Sequence, residues 1–177
     1  AYDPNDHPDA TIIGAPQRFP RRLTGSPPSI PIPGGLEFNG STTYVVLPPI
    51  RADFSHGFAF EAWVYFDGVQ RGARIIELGR GEQADNISIG RLEDSGALSV
   101  QVANGGQVET LITSNVIVDR TWMHIAVVFV GFVCPSIYVN GVLQSTTVTT
   151  SPGIYTFGFL PNPGVVRNKN YLGKSAA

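Results

Sequence analysis

The stretch Trp122-Met123-His124-Ile125-Ala126-Val127-Val128-Phe129, followed after a short interruption by Ile137-Tyr138-Val139-Asn140-Gly141-Val142-Leu143, decides the fold. Its first part is an apolar run of strand length, rich in β-branched residues, which predicts a buried strand. Its second part carries Asn140-Gly141 between Val139 and Val142, which predicts a tight hairpin. Asn and Gly accept positive φ at both centres of a type I′ turn, whose twist matches that of the flanking strands. Residues opposite each other across such a turn share a face. Val139 therefore faces Val142, and Ile137 faces Gln144, while Tyr138 and Leu143 pair on the other side.

Outward from this centre the chain is a series of short strands separated by turn residues. Phe58-Ala59-Phe60-Glu61-Ala62-Trp63-Val64-Tyr65-Phe66 has a two-residue period. Phe58, Phe60, Ala62, Val64 and Phe66 form a core face, and Glu61, Trp63 and Tyr65 an amphipathic, partly exposed one. Arg74 to Leu78 begins another strand. Ile87-Ser88-Ile89 and Leu98-Ser99-Val100-Gln101-Val102 alternate apolar and polar residues and are expected to face water on one side. Val108 to Ile112 follows the turn Asn104-Gly105-Gly106. Leu36-Glu37-Phe38, Thr43 to Leu47 and Asn170 to Gly173 are further short strands, and an aromatic cluster occupies Tyr155 to Leu160. With no helical period anywhere, the fold class is all-β, an antiparallel β-sandwich or jelly roll.

Residues 1–35 form a Pro-rich N-terminal arm with one short strand, Ala10-Thr11-Ile12-Ile13-Gly14, ahead of the main domain at 36–177. Pro16, Pro20, Pro27, Pro28, Pro31 and Pro33 fix φ and remove backbone donors, so the rest of the arm is expected to be extended or turned.

Composition narrows the function classes. The formal net charge of −2 argues against nucleic-acid binding, whose affinity comes mainly from Lys and Arg on phosphates. Cys134 is the single cysteine, so no internal disulfide forms, and it is read as a small buried hydrophobe. No apolar run is long enough to span a bilayer as a helix, which argues against membrane insertion. The chain starts at Ala1 without an initiator Met, as a processed product or a piece of a longer protein would. Asn39-Gly40-Ser41 and Asn86-Ile87-Ser88 are sequons, so Asn39 and Asn86 are expected glycosylation sites in a secreted glycoprotein.

Five motifs in order resemble the laminin-G-like, pentraxin-like jelly rolls of the concanavalin A-like lectin/glucanase superfamily. They are Leu36-Glu37-Phe38-Asn39-Gly40 with Tyr44-Val45, Phe60-Glu61-Ala62-Trp63-Val64, Trp122 to Val127, Ile137-Tyr138-Val139-Asn140-Gly141, and Tyr171-Leu172-Gly173. The resemblance implies a concanavalin A-like sandwich and gives His124 a packing role. Such domains continue past the Tyr-Leu-Gly strand into one more strand, so the domain is expected to be C-terminally incomplete. That last strand closes the sheet beside a strand near the N-terminus, so the edge it would cover after Tyr171-Leu172-Gly173 is expected to be open and covered by another domain or subunit.

Candidate site residues fall into a few chemical groups. A glucanase needs two carboxylates a few ångström apart, yet Glu61 stands alone beside Trp63 and Glu77 alone beside Ile76. There is no nucleophile elbow, zinc-protease motif or phosphate loop, so no catalytic residue is assigned and the chain is expected not to be an enzyme. His7 and His56 lack zinc spacing. Calcium is the only cofactor for which hard oxygen ligands are at hand, in Asp3, Asn5 and Asp6 and in Asp85-Asn86. Glu61, Trp63 and Tyr65 together offer an aromatic platform with a carboxylate, suited to a glycan. Two basic clusters, Arg18, Arg21 and Arg22, then Arg71 and Arg74, are read as solvated surface.

These readings converge on a non-catalytic extracellular or cell-surface module of a larger surface, matrix or fibre protein. It would serve adhesion or fibre assembly through protein-protein or protein-glycan contacts. The second reading is a carbohydrate-binding module attached to a secreted hydrolase.

Overall fold

A computed structural model describes residues 10–14, 35–68, 70–81, 84–131, 133–150 and 161–174. Among these the strands are β1 (Thr11–Ile13), β2 (Tyr44–Leu47), β3 (Ile50–Arg51), β4 (Phe58–Tyr65), β5 (Arg74–Gly79), β6 (Ile87–Arg91) and β7 (Ala97–Asn104). They continue with β8 (Gln107–Asn115), β9 (Trp122–Val130), β10 (Val133–Val139), β11 (Val142–Leu143), β12 (Thr146–Thr150), β13 (Val166–Arg167) and β14 (Lys169–Leu172). The only helical segment among the described residues is a 3-10 turn, Phe54–His56, and none is long and apolar enough to cross a membrane. An eight-stranded sheet, β1-β2-β14-β5-β6-β7-β8-β12, faces a four-stranded sheet, β11-β10-β9-β4, and β13 pairs with β3. All described pairings are antiparallel.

The opening stretch holds the position its pattern predicts. Met123, Ile125, Val127 and Phe129 on β9 are buried against Ile87, Ile89, Leu98, Val100 and Val102 of the facing sheet. Burial of each large aliphatic chain contributes roughly 1.5–3 kcal/mol, so this layer supplies much of the fold's driving force. Asn140 and Gly141 have φ of 51° and 79°, and Tyr138 pairs with Leu143 while Val139 pairs with Val142. Asn140 also ties the turn back to β9: its N–H donates to the His124 carbonyl at 2.8 Å and its Oδ1 accepts from the His124 N–H at 2.9 Å.

Three expectations change. Leu36-Glu37-Phe38 forms an isolated bridge rather than a strand. The Asn39 Oδ1 next to it accepts from the N–H groups of Ser41, Thr42 and Thr43, which turns the chain away from a ladder. β6 and β7 have no wet face: Ser88, Gly90, Ala97, Ser99 and Ala103 are buried as well as the apolar residues between them. These side chains are small, and the row meets its own polar needs. Ser88 Oγ and Arg74 Nη2 donate to Gln101 Oε1 at 3.4 and 3.2 Å, and Gln101 Nε2 donates to Thr110 Oγ1 at 3.3 Å. Cys134 is exposed, because the register of β10 shifts between Val133 and Ser136.

β14 is not an edge strand. β14 lies inside the large sheet, between β2 and β5, so the Tyr171-Leu172 segment has a neighbour on both sides. The fully buried Asn170 locks it there. Its Oδ1 accepts from the Gly79 N–H at 3.1 Å, and its Nδ2 donates to the carbonyls of Pro48 and Arg167 at 2.8 and 2.7 Å. The four-stranded sheet instead ends on β4, eight residues long and paired only with β9 among the described residues.

Ile125→Ala, which removes a fully buried side chain from β9, is expected to lower unfolding free energy by about 2–5 kcal/mol in a denaturant titration. Leu143→Ala, at a 59% exposed position, is expected to stay within about 0.5 kcal/mol.

Candidate recognition surface

Because β9 buries its odd-numbered residues, its even-numbered ones stand on the outer face of the small sheet. Cross-strand register sets out the rows of that face. Trp122 lies beside Tyr65, His124 beside Trp63, and Ala126 between Glu61 and Tyr138, with Leu143 beyond. Val128 lies between Ala59 and Ser136, and Val130 beside Val133. Apart from tyrosines, Glu61 and His124 are the ionisable side chains in these rows. Val130, Val133 and Leu143 are largely exposed and Trp63 is 36% exposed, so the face is far more apolar than the water-facing side of an antiparallel sheet usually is.

Glu61, Trp63 and Tyr65 do share this face, and β9 supplies two residues that the single-strand reading missed. The Trp63 ring lies 5.4 Å from the His124 imidazole at 55°, and Tyr65 lies 5.5 Å from Trp122 at 49°. His124 Nε2 stands 3.6 Å from Glu61 Oε2, with side-chain exposures of 29% and 76%. His124 is thus an outer-face residue and not an interior packing residue. The alternation of Trp122, His124 and Ala126 around Met123 and Ile125 was the available signal. Chemically the cluster offers ring faces for stacking and a carboxylate-imidazole pair for hydrogen bonding.

The other carboxylates lie elsewhere. Glu77 is buried on the large sheet, where its Oε1 accepts from Asn86 Nδ2 at 2.9 Å and its Oε2 is 3.6 Å from Arg74 Nε. Glu61 and Glu77 therefore stand on different sheets and do not form an acid-nucleophile pair.

Asp85 and Asn86 are committed to protein donors. Asp85 Oδ2 pairs with Arg80 Nη1 at 3.2 Å, and Oδ1 accepts from Asn162 Nδ2 at 2.9 Å. The buried Arg167 closes the cluster, donating from Nε to the Asp85 carbonyl at 3.1 Å and stacking over the Phe54 ring. Burial pushes its guanidinium below the usual arginine value. No group of three or more His, Cys, Asp or Glu fit to hold a metal occurs among the described residues. Asp3, Asn5 and Asp6 lie outside them, as do His7, Arg18, Arg21 and Arg22. In the second basic cluster, Arg71 pairs with Glu93 and Arg74 with Glu77.

The two sequons differ in setting. Asn39 is exposed. Asn86 is buried, and its Nδ2, the atom a glycan would occupy, donates to Glu77 and to the Gly81 carbonyl.

A family model described as the concanavalin A-like lectin/glucanases superfamily, of laminin-G type, matches residues 39–172. The chain belongs to this superfamily. The match spans β2 to β14 and both sheets of the sandwich. Among solved structures, the botulinum neurotoxin serotype D/C VPI 5993 binding domain is similar, with a TM-score of 0.56 and 16% identity over 94% of this chain and 44% of that one. The mouse laminin α1 chain, domains LG4-5, aligns with a TM-score of 0.44 and 12% identity, over 71% of this chain and 32% of that one. The chain thus spans less than half the length of these structures. No curated protein matches it in sequence.

Expression in a eukaryotic secretory host is expected to add a glycan at Asn39 and none at Asn86. Intact-mass analysis would show Asn39→Gln losing the glycan mass and Asn86→Gln leaving it unchanged; the reverse would mean that the secreted domain folds without the Asn86 hydrogen bonds to Glu77 and Gly81.

Proposed function

We propose that this domain is a non-catalytic extracellular recognition and assembly module of a larger surface, matrix or fibre protein, binding protein or glycan through the outer face of its small sheet. The observation that carries the reading is the row of Trp122, Tyr65, His124 and Trp63 over one carboxylate, continued by exposed Val130, Val133 and Leu143. Exposed aromatic residues in a polar-poor patch are the usual anchors of recognition surfaces. β4, which pairs with β9 alone among the described residues, borders the same face. The exposed sequon at Asn39 fits an extracellular setting.

A carbohydrate-binding role beside a hydrolase is the second reading, and one feature favours it. Ala126 lies between Glu61 and Tyr138, so the sheet surface dips next to the Trp63 ring, where a sugar face can stack while its hydroxyls reach Glu61 and His124.

Binding of the purified chain to a glycan array and to a panel of extracellular matrix proteins tests both readings. Trp63→Ala is expected to weaken the bound partner by about thirty-fold or more, the loss of roughly 2 kcal/mol that an aromatic anchor contributes, with its unfolding midpoint little changed. Unaltered binding by Trp63→Ala and Glu61→Gln would remove the outer face from the account. Capture of glycans alone would favour the carbohydrate-binding reading over the assembly one.

A further inference from the structure

We propose that the dip over Ala126 on the outer face of the small sheet is a slot for an arginine side chain of a protein partner. The inference rests on the reading of that face as a recognition surface and names what it recognises.

The slot follows from register. Ala126 has Glu61 beside it on β4 and Tyr138 beside it on β10. Neighbouring strands lie about 4.8 Å apart, so the Glu61 and Tyr138 backbones stand about 10 Å apart with only a methyl group between them. Along β9 the same gap is bounded by His124 and Val128, the next outward residues on either side. The Trp63 ring, 5.4 Å from the His124 imidazole, builds up that end of the wall. The floor is thus one small side chain, and the walls include a carboxylate, a phenol ring and an indole-imidazole pair.

The charge and shape of the walls say what the slot takes. Glu61 is the one carboxylate in the described rows of this face, and its side chain is 76% exposed. Its contact with His124 is 3.6 Å, too long for a hydrogen bond, so both carboxylate oxygens keep lone pairs for a donor. None of these rows carries a Lys or Arg to balance the charge. A cation therefore complements the slot, and among cations the guanidinium matches its walls best. It is planar, offers two parallel N–H groups to one carboxylate and stacks on aromatic rings, whereas an ammonium is a strongly hydrated point charge. With its fork of N–H groups on Glu61, a guanidinium over Ala126 has Tyr138 on its far side and lays its methylene stem along Trp63. Leu143, Val130 and Val133 beyond the slot are largely exposed, so the segment that carries the arginine is apolar on the side facing the sheet.

Fluorescence anisotropy with labelled strand-length peptides tests the proposal, using alternating valine and serine around a central arginine, lysine or glutamine. The arginine peptide is expected to bind the purified chain about ten-fold more tightly than the glutamine peptide, and more tightly than the lysine one, with the difference shrinking as salt rises. Glu61→Gln is expected to erase the preference. Ala126→Leu, which fills the slot and leaves the carboxylate in place, is expected to weaken the arginine peptide by a similar factor. Both positions lie on the outer face, so both variants are expected to keep unfolding midpoints close to the parent's. Equal binding of the arginine and glutamine peptides overturns the proposal, as does a preference that survives Glu61→Gln or an Ala126→Leu chain that binds like the parent. If the chain captures a matrix protein or a glycan through Trp63 yet shows no arginine preference, the slot fails and the recognition face stands. If the preference holds and follows Glu61 while no matrix protein or glycan is captured, the slot is supported and the wider module reading fails.

Discussion

Everything in this domain depends on the layer of Met123, Ile125, Val127 and Phe129 packed onto Ile87, Ile89, Leu98, Val100 and Val102. A sheet can bury one face only against something else, and here the one strand that is buried inward along its length in the small sheet is β9. Fixing β9 fixes its register with β4 and β10, and that register decides which residues stand outside. The outer face follows from the core: Trp122, His124 and Ala126 are outward because Met123 and Ile125 are inward.

Among the described residues the two sheets are of unequal width, eight strands against four. The inward residues of β4 are only partly buried, whereas those of β9 are buried throughout. The large sheet has the opposite character. Ser88, Ser99, Gln101 and Thr110 are drawn into a satisfied polar row, and Asn170, Arg91 and Arg167 are buried with their hydrogen bonds directed to backbone or carboxylate. The one exception among the described residues is Arg167 Nη1, which lacks a hydrogen-bond partner while its guanidinium lies over Phe54. Among the described residues, exposed apolar surface thus gathers mainly on the small sheet, the face proposed for recognition.

The all-β class, the central strand and the Asn-Gly hairpin with its pairs were legible because each rests on local physics: period two, β-branching and positive φ at Asn140 and Gly141. The outer faces were not. Alternation in β6 and β7 promised a wet side, and nothing in Ile87-Ser88-Ile89 tells that Ser88 will be buried beside Gln101. Similarly, Glu61, Trp63 and Tyr65 were visible as one strand's face, but Trp122 and His124 join them only through register, which depends on residues about sixty positions away. The sheet position of β14 is not legible for the same reason. Its place between β2 and β5 is set by Asn170 reaching Pro48 and Gly79, long-range bonds that no local pattern encodes.

Amide hydrogen exchange reads the central claim most directly, that the inward layer of β9 anchors the sandwich. The amides of Ile125 and Val127 should exchange only with global unfolding, and those of Val142 and Leu143 on the short, exposed β11 many-fold faster. Exchange of Ile125 and Val127 as fast as that of Val142 and Leu143 would contradict the account, because it would mean that β9 opens without the sandwich unfolding.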